Sequence, residues 1–220
     1  MSSARDRILG KIRSNLGRTT APDAAAASSS RLAALGDETS PRPVWDDDDL
    51  SRFLRCFEAA AATWARVDTV ADTGDAVATY LADKPAGNTV HLAPHPLLDD
   101  VSWPNTLTTA RATHGREALV GVSVAELGVA ETGSLVLFSG ADTPTTLNFL
   151  PDYHIVLLRM DAVVPHFEDV WARMRERGGF PPRSFNFITG PSRTADVEQT
   201  LQLGAHGPRS LHLILVAARD

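Results

Sequence analysis

Three short loops in the C-terminal half of the chain carry the residue types that bind or transform small molecules. They are Glu131-Thr132-Gly133, Thr189-Gly190-Pro191-Ser192-Arg193-Thr194 and His206-Gly207-Pro208. In the second, glycine permits unusual φ, proline fixes φ, and Ser192 or Thr194 can cap a following helix. Backbone N–H groups at such a helix start, joined by the Arg193 guanidinium, suit a carboxylate or phosphate. Asp196 and Glu198 would oppose an anion unless they face away. A structural reading is equally coherent: the hydroxyls cap the helix, Arg193 pairs with Asp196, and the loops lock the sheet. Glu131 has the same two readings. It either projects over strand ends as an acid/base or acyl acceptor, or it holds neighbouring backbone or arginine groups. The joint mouth of the three loops is therefore the candidate ligand site, with Glu131 its candidate catalytic residue.

Other chemistries find little support. There is no G-x-G-x-x-G, Walker A or G-x-S-x-G motif. His91 and His95 are separated by a strand end and Pro94, without a nearby cysteine or acid, so no metal site is expected. The run Asp46 to Asp49 reads as helix capping and dipole complementarity, since four adjacent carboxylates cannot converge on one ion. Cys56 reads as packing beside a helical stripe. As the single cysteine it rules out an internal disulfide and a self-contained cysteine-ligated cluster. Arg173, Arg175 and Arg177 load the last turn of a helix, where cations are favoured, and need no nucleic acid to explain them.

The elements that must position the three loops alternate between strand and helix. Leu50, Phe53, Leu54, Phe57, Ala61 and Trp64 describe one long helical stripe. A strand over 67–71, a helix over 75–81 and a strand over 89–93 follow, then a short helix over 97–103. A polar connection leads to a strand over 118–122. Val124, Leu127 and Ala130 have helical spacing, and SLVLF after Gly133 is a strand. Strand 155–158 precedes a helix over 161–177, with Pro165 in its first turn. The last stretch, from Phe185 to Val216, reads as strand, loop, helix, loop and strand in a βαβ-like unit. Leu211 to Val216 is apolar throughout apart from His212, as in a strand covered on both faces. This alternation predicts an α/β layer architecture with a mainly parallel sheet flanked by helices.

The 220 residues, 43% apolar and 22% charged, suit one α/β domain with a sizeable core. A net charge of -6 argues against a general nucleic-acid binder. Residues 1–17 predict a basic amphipathic arm, with Ser3 and Asp6 as a capping box and Ala4, Ile8, Ile12 and Leu16 in a stripe. Residues 18–44, including APDAAAASSS, read as a flexible linker, and the folded domain is expected over 45–220. No apolar run reaches transmembrane length and no signal-peptide pattern opens the chain, so a cytoplasmic protein is the expectation.

Two blocks carry a family resemblance. FITGPSRTADVEQTLQLGAHGPRSLHLILV resembles the C-terminal signature of the LUD-domain family of lactate-utilisation proteins. VAELGVAETGSLVLFSG with FLPDYHIVLLRMDAVV resembles its other signature, in the expected order. The resemblance implies the fold shared by glucosamine-phosphate deaminase, ribose-phosphate isomerase and CoA transferases. It implies a non-redox accessory subunit in L-lactate utilisation, with iron–sulfur partner proteins that oxidise lactate to pyruvate and no cofactor in this chain. The alternative is an independent binder of a carboxylate, phosphate or CoA ester, or a transferase of that fold. Many relatives have an arginine in the Ala141–Thr146 turn; this chain has none, so no arginine-held anion is expected from that loop.

Overall fold

Central strands with uninterrupted apolar runs must be covered on both faces, and β-branched residues favour them. The computed structural model, which describes residues 3–17, 30, 41–112, 118–177, 182–194, 202–203 and 207–217, has such a sheet at its centre. The chain divides into two units, residues 1–42 and 43–220. In the first, helix α1 spans Ala4–Asn15, and Ser3 and Asp6 close the expected capping box. The linker expected over 18–44 lies largely outside the described residues.

The second unit begins with α2 (Asp49–Ala59). Asp48 is its N-cap, accepting from the Ser51 amide at 2.9 Å. The neighbouring carboxylates are also engaged, Asp47 with Arg55 and Asp49 with the Trp45 indole. Then follow β1 (Thr63–Val67), α3 (Thr73–Leu81), β2 (Thr89–Leu92), a 3-10 turn at Pro96–Asp99, β3 (Thr108–Arg111), β4 (Val120–Val124), β5 (Leu127–Val129) and β6 (Ser134–Phe138). A 3-10 turn at Thr145–Asn148 leads into β7 (Tyr153–Arg159). Another at Met160–Ala162 leads to β8 (Val163–Val164), α4 (Phe167–Arg177) and β9 (Phe185–Ile188). The pair β10 (Arg193–Thr194) and β11 (Gln202–Leu203) precedes β12 (Ser210–Val216).

Six strands form one sheet in the order β1-β12-β7-β4-β2-β3, every neighbouring pair parallel. Alternate residues of β4, β7 and β12 point to opposite faces. Val122, Ile155, Leu157 and Ile214 meet Val77 and Leu81 of α3 on one side. Val156, Leu158, Leu213 and Leu215 meet Phe53 and Phe57 of α2, with Leu135 and Leu137 of β6, on the other. The strand β6 belongs to a second sheet, β8-β5-β6-β9, in which β5–β6 and β6–β9 are antiparallel. Its outer face, with Val129, Val136 and Phe138, is closed by Val170 of α4. The layers are thus α3, the parallel sheet, α2 with the second sheet, and α4.

The mainly parallel α/β architecture is the one expected, and several local expectations are corrected. Val124, Leu127 and Ala130 do not lie on a helix: the chain runs out of β4 into β5, an arm of the β5–β6 hairpin. Because Leu127, Gly128 and Val129 are all buried, three-residue spacing carries no helical information there. Trp64 lies in β1, beyond the end of α2, where Ala61 adopts φ 63 and stops the helix. That strand ends at Val67 rather than beginning there. The polar segment before β4 contains β3, an edge strand whose exposed residues hide its period. The helix expected from Asp161 starts only at Phe167, because Val163 and Val164 pair with β5. Pro165 therefore precedes it. Finally, β9 and β12 lie in different sheets, so 185–216 is not a βαβ unit. Arg193–Thr194 pairs antiparallel with Gln202–Leu203 where a helix was expected to start and end.

Two measurements check this packing. Gly133 has φ 67, and a Cβ there would lie 2.4 Å from the Phe57 amide nitrogen. Gly133→Ala should therefore destabilise the protein by about 2–4 kcal/mol, combining left-handed strain with overpacking, as read by urea melts. Removal of residues 1–40 should leave a cooperative thermal transition, since every buried core residue among the described residues lies beyond them.

Candidate functional site

Polar side chains set into buried apolar strands cost stability unless they are partnered. Two such residues lie on the α2 side of the parallel sheet, Ser123 in β4 and His154 at the start of β7. His154 is fully buried, and its Nε2 lies 2.7 Å from Ser123 Oγ. Burial pushes the imidazole down to about 3, so it is neutral at physiological pH. Its Nδ1 has no hydrogen-bond partner among the described residues. Neither does the carboxamide of Asn148, 1% exposed at the end of the 3-10 turn that feeds β7.

Asn148 and His154 line a cavity of about 230 Å³. Phe149, Phe187, Ile188 and Leu211 supply its apolar wall. The remaining wall comes from Thr189, Gly190, Ser192, Gly207 and Pro208, so two of the three expected loops do converge. The Ser192 amide donates to the Pro208 carbonyl at 2.8 Å and ties those loops together. Gly207 lies close against Ser192: a Cβ there would be 3.2 Å from the serine Cβ.

The third loop meets the others through hydroxyls. Ser134 Oγ sits 2.7 Å from Thr132 Oγ1 and 2.5 Å from Thr189 Oγ1. The Glu131 carboxylate goes elsewhere, to 3.5 Å from His166 Nδ1, and its amide donates to the Pro165 carbonyl. Glu131 thus meets a histidine rather than the cavity, Thr132 joins the hydroxyl chain, and Gly133 packs on α2. Arg193 also has another employment: its Nη2 donates to the Ala60 carbonyl at 3.0 Å, at the C-terminal end of α2. Cations are favoured there by the helix dipole. Thr194 is paired in β10, and Pro191 has no N–H to offer; the helix start expected after Thr194 lies outside the described residues. Asp196 and His206 lie outside the described residues.

Asn148, His154 and Ser123 did not emerge from motif reasoning. The signal of Ser123 and His154 is nevertheless present as polar residues inside otherwise apolar stretches, VGVSVA and YHIVLL, whereas Asn148 in TTLNFL carries none. A larger crevice of about 360 Å³ runs past His95, Glu126, Ser139, Asp142 and Arg177. Its Arg177 and Glu126 are already paired at 3.2 Å. The smaller cavity is therefore the better candidate, because its lining includes buried polar atoms without protein partners among the described residues.

A parallel sheet closed on one face by a helix and on the other by a helix and a second sheet, with a cavity at its strand starts, defines the class as a layered α/β protein. Residues 50–216 match the LUD domain, and the chain belongs to the LUD domain family. It is similar to lactate utilization protein C of Geobacillus thermodenitrificans (strain NG80-2), 36% identical over 120 residues, which are 53% of this chain and 50% of that protein. The protein of the same name from Geobacillus sp. (strain WCH70) is 33% identical over 129 residues, 57% of this chain and 54% of that one. The chain spans about half the length of the curated relatives it matches. A crystal structure of a DUF162 family protein from Deinococcus radiodurans shares the fold, with TM-score 0.56 and 22% identity over 79% of this chain and 99% of that one.

His154 and a second buried imidazole make stability pH-dependent. His212 is pushed down to about 4, by burial and then by Lys84. Each folded value lies below the unfolded value of about 6.5, so the unfolded chain takes up protons first. Their stabilisation is complete above that value and declines as pH falls, by about 1.4 kcal/mol per pH unit for each histidine. Urea melts from pH 7 to pH 5 should show this slope, and His154→Gln should reduce it by about half.

Proposed function

We propose that the chain serves L-lactate utilisation in the cytoplasm as a non-redox accessory subunit, acting beside iron–sulfur proteins that oxidise lactate to pyruvate. The observation that carries this reading is membership of the LUD domain family together with relatives named lactate utilization protein C. Cysteine chemistry supports the division of labour. An iron–sulfur cluster is held by several cysteine thiolates, and this chain has only Cys56. The electron-transfer centres accordingly belong to the partners. No helix among the described residues is long and apolar enough to cross a membrane.

A second reading, an independent small-molecule binding protein or transferase of the CoA-transferase-like fold, draws on the cavity beside Asn148 and His154. Glu131 would be its acid/base only if the carboxylate left His166. In this second reading the candidate ligand loops are the binding site.

The two readings separate in solution. The purified chain should reduce no electron acceptor with L-lactate and should hold no stoichiometric iron, while restoring growth on lactate to a strain that lacks it. It should also retain cysteine-rich partners on co-purification from that strain. Lactate oxidation by the isolated chain would overturn the accessory role.

A further inference from the structure

The chemistry of the cavity points to a ligand class, and the inference stands apart from the lactate reading. We propose that the cavity beneath Thr189–Ser192 binds an uncharged planar group with adjacent hydrogen-bond donor and acceptor, such as a carboxamide, lactam or nucleobase edge, recognised by Asn148.

Three observations carry it. Asn148 is almost wholly buried, lines the cavity, and leaves both Nδ2 and Oδ1 without a protein partner among the described residues. Buried amides in native proteins are partnered in the large majority, so a missing donor-and-acceptor pair is implied at this position. An asparagine side chain pairs two-handed with a group that offers the reverse order of donor and acceptor. His154 Nδ1, also unpartnered, adds a further polar contact whose sense is set by how Ser123 holds the other ring nitrogen.

The second observation is charge. Among the described residues no lysine, arginine or carboxylate side chain lines the cavity, and the sequence from Ala195 to His206 contains no lysine or arginine. Arg193 is at Ala60, and Arg209 is paired with Asp152 at 3.1 Å. An ionised carboxylate or phosphate would have to give up its hydration without a counter-charge, which an apolar wall does not offset. The third observation is the wall itself: Phe149, Ile188 and Leu211 line it with apolar residues, suited to an uncharged group.

The test uses matched pairs of equal shape and different charge on the full chain, nicotinamide against nicotinate and uracil against orotate. Calorimetry or protein-observed NMR titration should find at least one uncharged member of a pair bound about tenfold or more tighter than its carboxylate counterpart, the preference of a site without a cation. Asn148→Leu should weaken that binding by about tenfold or more, the loss of a two-handed hydrogen bond. Its unfolding midpoint should stay equal or rise, since an unpartnered buried amide is replaced by an apolar side chain of similar size. Binding of neither uncharged probe, equal or tighter binding of the carboxylates, or unchanged binding by Asn148→Leu would each overturn the proposal. Ordered water alone as the partner of Asn148 corresponds to the first of these outcomes. Growth on lactate is a separate readout, so failure here leaves the accessory-subunit reading standing.

Discussion

The structure depends on how the last turn of α2 is received by the loops beneath it. Gly133 and Gly190 both have left-handed backbone, with φ 67 and 82, and both approach that turn more closely than any side chain would allow. A Cβ on Gly190 would lie 2.3 Å from the Ala60 carbonyl oxygen, to which Arg193 also donates. Helix ends leave carbonyls without intrahelical partners, and here a distant loop supplies one. The same contact fixes α2 against the sheet, so Phe53 and Phe57 enter the core at full burial. It also fixes the loop that forms one wall of the cavity. A helix end, a hairpin turn and a candidate ligand site therefore share one packing constraint.

That constraint explains why the TGPSRT loop looks like a binding motif and is partly a structural one. Arg193 is turned toward α2, and Gly190 serves it by close approach. Thr189 and Ser192 face the cavity. The loop thus has two sides, one holding the helix and one lining the site, and changes at the helix contact can alter the cavity without touching it.

The polar residues under the loop make a different kind of statement. Ser123 and His154 sit where alternation calls for apolar residues, between Phe53's side of the sheet and the cavity. Their mutual hydrogen bond offsets part of the burial, and the neutral imidazole avoids the far larger cost of a buried charge. Asn148 has no comparable protein partner among the described residues. Departures from local consistency of this kind concentrate at functional sites.

Composition and local pattern were enough for the α/β class, the Ser3–Asp6 capping box, the Asp48 cap, and the strands around Leu135 and Leu213. Each depends on neighbours within one or two turns, or on a run of apolar residues long enough to demand burial from both sides. The family blocks were legible for the same reason, being contiguous. Strand partners are not local, and so tertiary structure alone decided that Leu127–Val129 joins a hairpin, that Phe185–Ile188 belongs to a second sheet, and that Arg193–Thr194 pairs with Gln202–Leu203. It also decided which way Arg193 and Glu131 point, because each orientation is set by a partner far along the chain, Ala60 or His166. Asn148 became a candidate only when the fold removed it from water and left its amide unpaired, since an asparagine in a polar turn is otherwise unremarked. Sequence determines which groups can hydrogen-bond; burial by distant neighbours determines which of them must.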